Sequence, residues 1–219
     1  MDNAEQPTVL MAYYSYTNQT KKVLDAVAEG LRAHGCDVTI ARIEFSDPRY
    51  AERFQTFPLK KPLRDMFGMI PVELRDRPVQ IVIPDEMTGR DYDLVVIGVP
   101  TWWLSTDAPM RTFLDSDEAG QALRGKPFAT VVCCRRYWKH NSKTLKRKGL
   151  ASGGIFWDGI HFRYQGGQVP SLLSLLSYLS TGEFRHRYLG VKIPPTNIQE
   201  YQVKEARAFA DGLAARVVG

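Results

Sequence analysis

The sequence predicts an α/β domain in which helices cover both faces of a parallel sheet. Short apolar runs typical of buried strands alternate with segments whose apolar residues recur at helical spacing. Strands that alternate with helices imply parallel pairing. The chain has 219 residues, of which 44% are hydrophobic. It is therefore long enough for one large domain or two small ones, with a sizeable core.

Five strands are predicted from the apolar runs. They are residues 8–14, 37–45, 93–99, 127–134 and 155–164. Near-continuous apolar runs such as DLVVIGV, at residues 93–99, are expected of strands that are buried on both faces of a sheet.

The predicted helices lie between and after these strands. The first helix has apolar residues at helical spacing and ends near Gly35; these residues are Val23, Leu24, Val27 and Leu31. Thr106 or Asp107 is placed to cap the next helix, which has Pro109 near its first turn. A basic helix is predicted at about 139–149, and an amphipathic helix from Val203 to Val217 closes the chain.

Two segments exceed what this pattern requires. Residues 46–92 contain six prolines and many charges, and residues 165–198 contain the apolar, serine-rich stretch SLLSLLSYLS. We interpret both as insertions on a single domain that spans residues 1–219. Long apolar insertions often build interfaces or ligand lids. We therefore expect a homodimer in which one insertion walls a ligand pocket, either its own or its partner's.

The net charge of +5 is unevenly distributed along the chain. Residues 119–157 contain nine Lys or Arg and no Asp or Glu, so the rest of the chain carries a charge of −4. The basic segment 135–149 is either a solvated helix face or a site for an anionic group or partner. No nucleic-acid partner is expected, because the rest of the chain is acidic and no nucleic-acid-binding motif occurs.

Cysteine and histidine usage argues against a disulfide framework and against a metal site. The three cysteines are Cys36, Cys133 and Cys134, and the four histidines are scattered. No apolar run approaches the roughly 20 residues that span a membrane. The N-terminus lacks the basic start and apolar core of a signal peptide. We therefore expect a cytoplasmic protein.

The stretch YYSYTNQTKK, residues 13–22, concentrates small polar side chains after the first strand. Ligands of open parallel sheets bind outside the carboxyl ends of the strands, and a helix N-terminus there offers free backbone N–H groups to an anion. Ser15, Thr17, Asn18 and Thr20 add side-chain donors, so the expected ligand is a phosphate monoester. Helix capping is the alternative, although a cap needs only one such residue. The glycine patterns of Walker and dinucleotide-binding loops are absent.

The hexapeptide Ser15-Tyr16-Thr17-Asn18-Gln19-Thr20 resembles the first loop of the flavodoxin-like family of FMN-binding proteins, which has the form Ser/Thr-x-Thr-x-x-Thr. The family usually has glycine where this chain has Asn18, and asparagine is the next best residue for a left-handed backbone. The resemblance implies a doubly wound, five-stranded parallel sheet of order 2-1-3-4-5. It also implies that residues 15–20 hold the FMN phosphate.

The segment GVPTWWLSTDAPMRTFLD, residues 98–115, carries the second similarity. In the family, a Gly-x-Pro-x-Trp-like turn follows strand three and flanks the isoalloxazine ring. The resemblance implies ring contacts from Pro100, Thr101, Trp102, Trp103 and Leu104. The alternative is that the two tryptophans are core residues or interface anchors.

The third similarity is the loop after the fourth strand: Cys134, Arg135, Arg136, Tyr137 and Trp138. In the family this loop covers the other ring edge, which implies stacking by Tyr137 or Trp138. Classical one-electron flavodoxins surround the flavin with acidic residues, whereas a guanidinium favours the anionic, fully reduced flavin and two-electron chemistry.

Other candidate residues in these loops are interpreted as structural. Cys133 and Cys134 are expected to be small buried residues, because no histidine base is placed beside them. His140 is interpreted as a surface residue and Asp107 as a helix cap, so no catalytic residue is identified.

The resemblance therefore implies an NAD(P)H-dependent FMN oxidoreductase that passes two electrons to a small acceptor such as a quinone. Two alternatives stay open. One is a flavodoxin-type electron-transfer protein that docks a redox partner through the basic segment. The other is a biosynthetic-pathway protein that keeps the fold, since fold alone does not determine function.

Overall fold

A parallel sheet forms the centre of the protein. The computed structural model describes residues 6–54, 56–75 and 77–219. Its strands are β1 (Thr8–Tyr13), β2 (Asp37–Arg42), β3 (Glu44–Phe45), β4 (Ile81–Val82), β5 (Leu94–Trp102), β6 (Ser105–Thr106), β7 (Pro127–Cys134), β8 (Ile155–Arg163), β9 (Arg187–Tyr188) and β10 (Val191–Lys192). Its helices are α1 (Gln19–Ala33), α2 (Pro48–Phe54), α3 (Pro62–Gly68), α4 (Ile70–Leu74), α5 (Ala108–Leu114), α6 (Asp117–Leu123), α7 (Trp138–Ala151), α8 (Gln168–Thr181) and α9 (Glu200–Val217), with a short 3₁₀ helix at Asp85–Met87.

The five long strands pair in the order β2-β1-β5-β7-β8, and all of these pairs are parallel. The predicted order 2-1-3-4-5 and the flavodoxin-like fold class are confirmed. The strand order reverses at β1, and the carboxyl ends lie together: Tyr13 pairs with Gly98, and Pro100 pairs with Cys133. The loops after β1, β5 and β7 therefore meet at one edge of the sheet.

Helices cover both faces of the sheet, as predicted. On one face, Val9 and Met11 of β1 pack with apolar residues of α1 and α9. On the other face, Leu10 and Ala12 pack with residues of α5, α6 and α7. Because alternate residues of β1 are buried on opposite faces, the strand reads as one continuous apolar run. None of the described helices has the length and apolar character that crossing a bilayer requires.

One predicted strand is divided in the structure, and one helix is present that the sequence did not predict. The predicted strand 37–45 leaves the sheet after the Ile43 N–H donates to the Tyr13 carbonyl, because β1 ends there. Its last residues become β3, which pairs with β4 in an antiparallel ladder. The helix predicted after Asp107 is confirmed as α5, and a further helix, α6, follows it, since the Ser116 hydroxyl caps a new helix there.

The two insertions pack against each other and against the first loop. The Leu59 N–H donates to the Leu179 carbonyl over 2.8 Å, and the Phe57 ring lies 4.9 Å from that of Tyr178. The Tyr16 hydroxyl donates to the Thr56 carbonyl over 2.7 Å. Both insertions are thereby placed over the carboxyl edge of the sheet.

Candidate functional site

A cavity of about 140 Å³ lies where the three loops meet the two insertions. The loops contribute Tyr16, Thr17, Pro100, Thr101, Trp102, Trp103, Cys134, Arg135, Arg136 and Tyr137. The insertions contribute the side chains that we call the roof: Phe54, Leu59, Met66, Met69, Leu172, Leu175 and Leu179. Cys133 and Tyr164 complete the wall. The sequence-predicted loops are therefore brought together, and both insertions wall the cavity of their own chain.

The first loop turns directly into the N-terminus of α1. Asn18 has the left-handed conformation that the sequence predicts, with φ 58°, and its side chain makes no capping hydrogen bond. Thr17 lines the cavity, while Ser15 and Thr20 are buried behind it. Three hydroxyl groups therefore lie close to the N-terminus of α1. Because the Asn18 side chain does not cap this helix, its first backbone N–H groups are available to bind an anion.

Gln19 and Tyr16 connect the first loop to the insertions. The Gln19 Oε1 atom accepts a hydrogen bond from the Ile198 N–H over 2.8 Å, and its Nε2 atom lies 3.4 Å from the Tyr178 hydroxyl. Gln19 does not line the cavity. The ring of Tyr16 forms part of the cavity wall and packs edge-on against Phe54, with 5.4 Å between ring centres.

The second loop places its two tryptophans in different surroundings. Trp102 lines the cavity and packs edge-on against Tyr14, 5.5 Å away, so it is both a wall residue and part of an aromatic cluster. Trp103 has a positive φ of 54°, and its indole N–H donates to the Met66 carbonyl over 3.1 Å. Leu104 is 47% exposed and does not line the cavity. The loop is thereby fixed to the first insertion.

The third loop brings two arginines to the cavity. The Arg135 Nη1 atom donates to the Gln168 carbonyl over 3.1 Å and to the Ser171 hydroxyl over 3.2 Å. Burial, together with the neighbouring Arg136 charge, lowers the pKa of Arg135. Among the described residues no carboxylate pairs with either arginine, and none lines the cavity. The site is therefore electropositive.

Tyr137 and Trp138, which the sequence left as alternatives, diverge in the structure. Tyr137 has a left-handed backbone, with φ 64°, and lines the cavity. Trp138 does not line it; its ring stacks on that of His161, with 3.6 Å between ring centres and 7° between planes. The left-handed residue separates the two side chains, so only Tyr137 is placed to contact a ligand.

Asn141 is a site residue that the sequence analysis did not identify. Its Nδ2 atom donates to the Thr101 hydroxyl over 2.7 Å and to the Tyr137 carbonyl over 3.4 Å. Its Oδ1 atom lies 3.2 Å from the Thr106 hydroxyl. Asn141 is fully buried and joins the second loop to the third. One asparagine in a basic helix carries no periodic signal that would single it out.

The two cavity thiols are buried and His140 lies at the surface, as the sequence analysis expected. Burial raises the pKa values of Cys133 and Cys134 to about 12, so both thiols are protonated at neutral pH and are poor nucleophiles. His140 is exposed and outside the cavity. Tyr164, which the sequence did not single out, is partly buried in the wall, and its burial raises its pKa well above the usual range.

Asp107 caps α5, as expected, and belongs to a buried polar cluster outside the cavity. Its Oδ1 atom accepts a hydrogen bond from the Met110 N–H over 2.9 Å. Its Oδ2 atom is buried and has no hydrogen-bond partner among the described residues. Burial, with the nearby Glu73 charge, raises the pKa of Asp107 to about 8, although the hydrogen bond from Met110 and the Arg111 charge act in the opposite direction. Glu73 and Arg111 form a buried ion pair, with 2.5 Å between Oε2 and Nη1.

Comparison with solved structures identifies the fold. A flavodoxin from the domain Archaea aligns over 97% of this chain and 99% of its own, with a TM-score of 0.55 and 12% identity. Flavodoxin 1 of Bacillus cereus aligns over 96% and 97%, with a TM-score of 0.51 and 13% identity. The flavodiiron core of Synechocystis aligns over 98% of this chain and 36% of its own, with a TM-score of 0.53 and 13% identity. These similarities show the flavodoxin-like fold.

Curated relatives match about half of the chain. Proteins named NAD(P)H dehydrogenase (quinone) are 28% identical in Archaeoglobus fulgidus and 29% identical in Rhizobium rhizogenes, each over 107 residues. This stretch is 49% of the chain, and 49% and 45% of the two relatives, so the alignments span about half the length of each. No family model matches the sequence.

Proposed function

We propose that this chain of flavodoxin-like fold is an FMN-dependent oxidoreductase that passes two electrons from NAD(P)H to a small acceptor such as a quinone. The observation that carries the proposal is the cavity itself, which joins an anion-binding loop, aromatic walls and two arginines under an apolar roof. The curated relatives, which are named NAD(P)H dehydrogenase (quinone), support the same activity.

The donor set of the cavity fits FMN. The N-terminus of α1 and the Thr17 hydroxyl suit a phosphate monoester, with Ser15 and Thr20 behind them. Trp102 and Tyr137 give aromatic walls for a flat ring. When bound, FMN supplies hydride acceptance and two-electron transfer. Overall, NAD(P)H, a proton and a quinone give NAD(P)⁺ and a hydroquinone.

The protein's contribution is electrostatic. Arg135 is held in one orientation by Gln168 and Ser171, and Arg136 lies beside it. A fixed positive charge at a partly buried site stabilises a developing negative charge more strongly than water does. Because no described carboxylate lines the cavity, this field favours the anionic, fully reduced flavin.

The covering of the cavity by the roof favours a small molecule as the electron acceptor and argues against a protein acceptor. Side chains of α2, α3 and α8 cover the cavity, and the Leu59–Leu179 hydrogen bond joins the two insertions. A docked protein would therefore meet the roof before the flavin. The expected homodimer stays a prediction.

Anaerobic reduction of the FMN-loaded protein tests this function. Addition of NADH or NADPH should bleach the flavin absorbance without any partner protein, and a quinone should then restore it. Free FMN at the same concentration, mixed with the same nucleotide, is the control. Bound FMN that neither nucleotide reduces would reject the oxidoreductase and leave the electron-transfer protein.

A further inference from the structure

The roof gives the cavity a character that the three loops alone do not account for. Its members are leucine, methionine and phenylalanine side chains, none of which has a strong hydrogen-bonding group. Leu172 and Leu175 come from α8 in the second insertion, and Met66 and Met69 come from the first insertion. The loops that fit FMN lie at the sheet edge and the roof lines the same cavity, so a second molecule that binds beside the flavin would meet an apolar surface.

Arg135 gives that apolar space one fixed positive charge. Its Nη1 atom is held by Gln168 and Ser171, both in the helix that carries the roof residue Leu172. The Nε and Nη2 atoms of Arg135 have no hydrogen-bond partner among the described residues. Burying a cation without a counter-ion is costly, and a bound anion offsets that cost. Burial lowers the pKa of Arg135, which is the direction that this cost predicts.

The apolar roof and the positive charge of Arg135 together define the ligand. The phosphate of FMN is assigned to the N-terminus of α1, so Arg135 does not need to bind it. An entirely apolar molecule would leave the two arginines unpaired, and a small polar anion would leave the roof in contact with water. Only a molecule with an apolar body and an anionic group satisfies both.

We infer that the small molecule received by this cavity is an amphipathic organic anion, its anionic group on Arg135 and its apolar body under the roof. The inference rests on the proposed function and names the class of its acceptor. Three probes separate the two requirements: decanoate has both features, butyrate lacks the apolar body, and decan-1-ol lacks the charge.

Binding of the probes to FMN-loaded protein is measured by isothermal titration calorimetry, below the concentration at which decanoate forms micelles. Decanoate should bind at least about tenfold more tightly than butyrate or decan-1-ol. Decan-1-ol bound as tightly as decanoate would remove the need for an anion, and butyrate bound as tightly would remove the need for an apolar body. Failure of decanoate to bind would overturn the inference outright.

Variants assign the two ends of the ligand. Arg135→Gln should weaken decanoate at least about tenfold and leave decan-1-ol unchanged, with the exposed Arg147→Gln as its matched control. Leu172→Gln should weaken both probes, with Leu176→Gln as its control, since Leu176 lies on the same helix outside the cavity. Unchanged decanoate binding in Arg135→Gln or in Leu172→Gln would contradict the assignment.

The same samples separate this inference from the proposed function. FMN content is read from the visible absorbance, and reduction by NAD(P)H is recorded before the probes are added. Loss of FMN binding or of reduction rejects the proposed function. Normal reduction without selective decanoate binding rejects the ligand class alone.

Discussion

The side-chain amide of Asn141 lies 2.7 Å from the hydroxyl of Thr101 and thereby joins α7 to the end of β5. The same amide donates to the Tyr137 carbonyl. Two walls of the cavity are thus positioned by one buried side chain that does not itself line the cavity.

Replacement of Asn141 tests this positioning role. Asn141→Leu leaves the hydroxyls of Thr101 and Thr106 without this partner, so we expect a loss of roughly 1–3 kcal/mol in the free energy of unfolding. FMN affinity should fall as well, because Thr101 and Tyr137 lose their common anchor. Urea unfolding and an FMN titration measure the two effects. Ser142→Ala, one residue along α7, is the control; equal FMN affinity in Asn141→Leu and the control would refute the role.

The first loop can be tested through the phosphate. Thr17→Ala combined with Thr20→Ala should weaken FMN binding by roughly 2–5 kcal/mol, if each hydroxyl makes one hydrogen bond to a charged oxygen. Riboflavin, which lacks the phosphate, should bind the parent and the variant about equally. Flavin fluorescence titrations supply all four affinities. An equal loss for riboflavin would point to damage of the fold instead of loss of a phosphate contact.

Trp102 offers a spectroscopic test of the ring site. It is the tryptophan that combines cavity contact with the aromatic cluster of Tyr14 and Phe54, so bound FMN should quench its emission strongly. Trp102→Phe should keep the cluster and lose most of that quenching. Trp157→Phe, which alters a residue outside the cavity, is the matched control. Emission that stays constant at saturating FMN in the parent protein would place the flavin elsewhere.

Asp107 predicts a pH dependence of stability. Its pKa is raised to about 8 in the folded protein, from an ordinary value of about 3.9 in the unfolded chain. Between these values the folded state holds the proton more tightly, so stability falls as the pH rises from about 4 through 8. The slope from this one group is at most about 1.4 kcal/mol for each pH unit.

Asp107→Asn removes this titration and keeps an N-cap acceptor for the Met110 N–H. Urea unfolding at pH 5 to 9 should therefore show a smaller loss of stability in the variant than in the parent. The difference between the two proteins isolates this group from the other carboxylates. Parallel curves would mean that Asp107 titrates near its ordinary value.

The sequence predicted the sheet well because its strands are buried on both faces. The apolar runs around Val9 and Val95 are buried in the core, and the left-handed Asn18 followed from the resemblance, since it stands where the family usually has glycine. The sequence could not show that Ile43 makes the last hydrogen bond to β1, since that depends on where β1 ends.

The details of the site depended on contacts that no local pattern encodes. Tyr137 and Trp138 are adjacent aromatic residues, and only the positive φ of Tyr137 decides which of them faces the cavity. The roof was not foreseen in detail either, because it requires Leu59 to meet Leu179 across most of the chain.

The bond between Leu59 and Leu179 makes the two insertions mutually dependent. Each covers apolar surface of the other, as the contact between Phe57 and Tyr178 shows. Loss of one insertion would expose the other to water. In the evolutionary history of this protein the two segments should therefore have been gained or lost together. A relative that retains only one is expected to carry polar residues at the positions of Phe57 or Leu179.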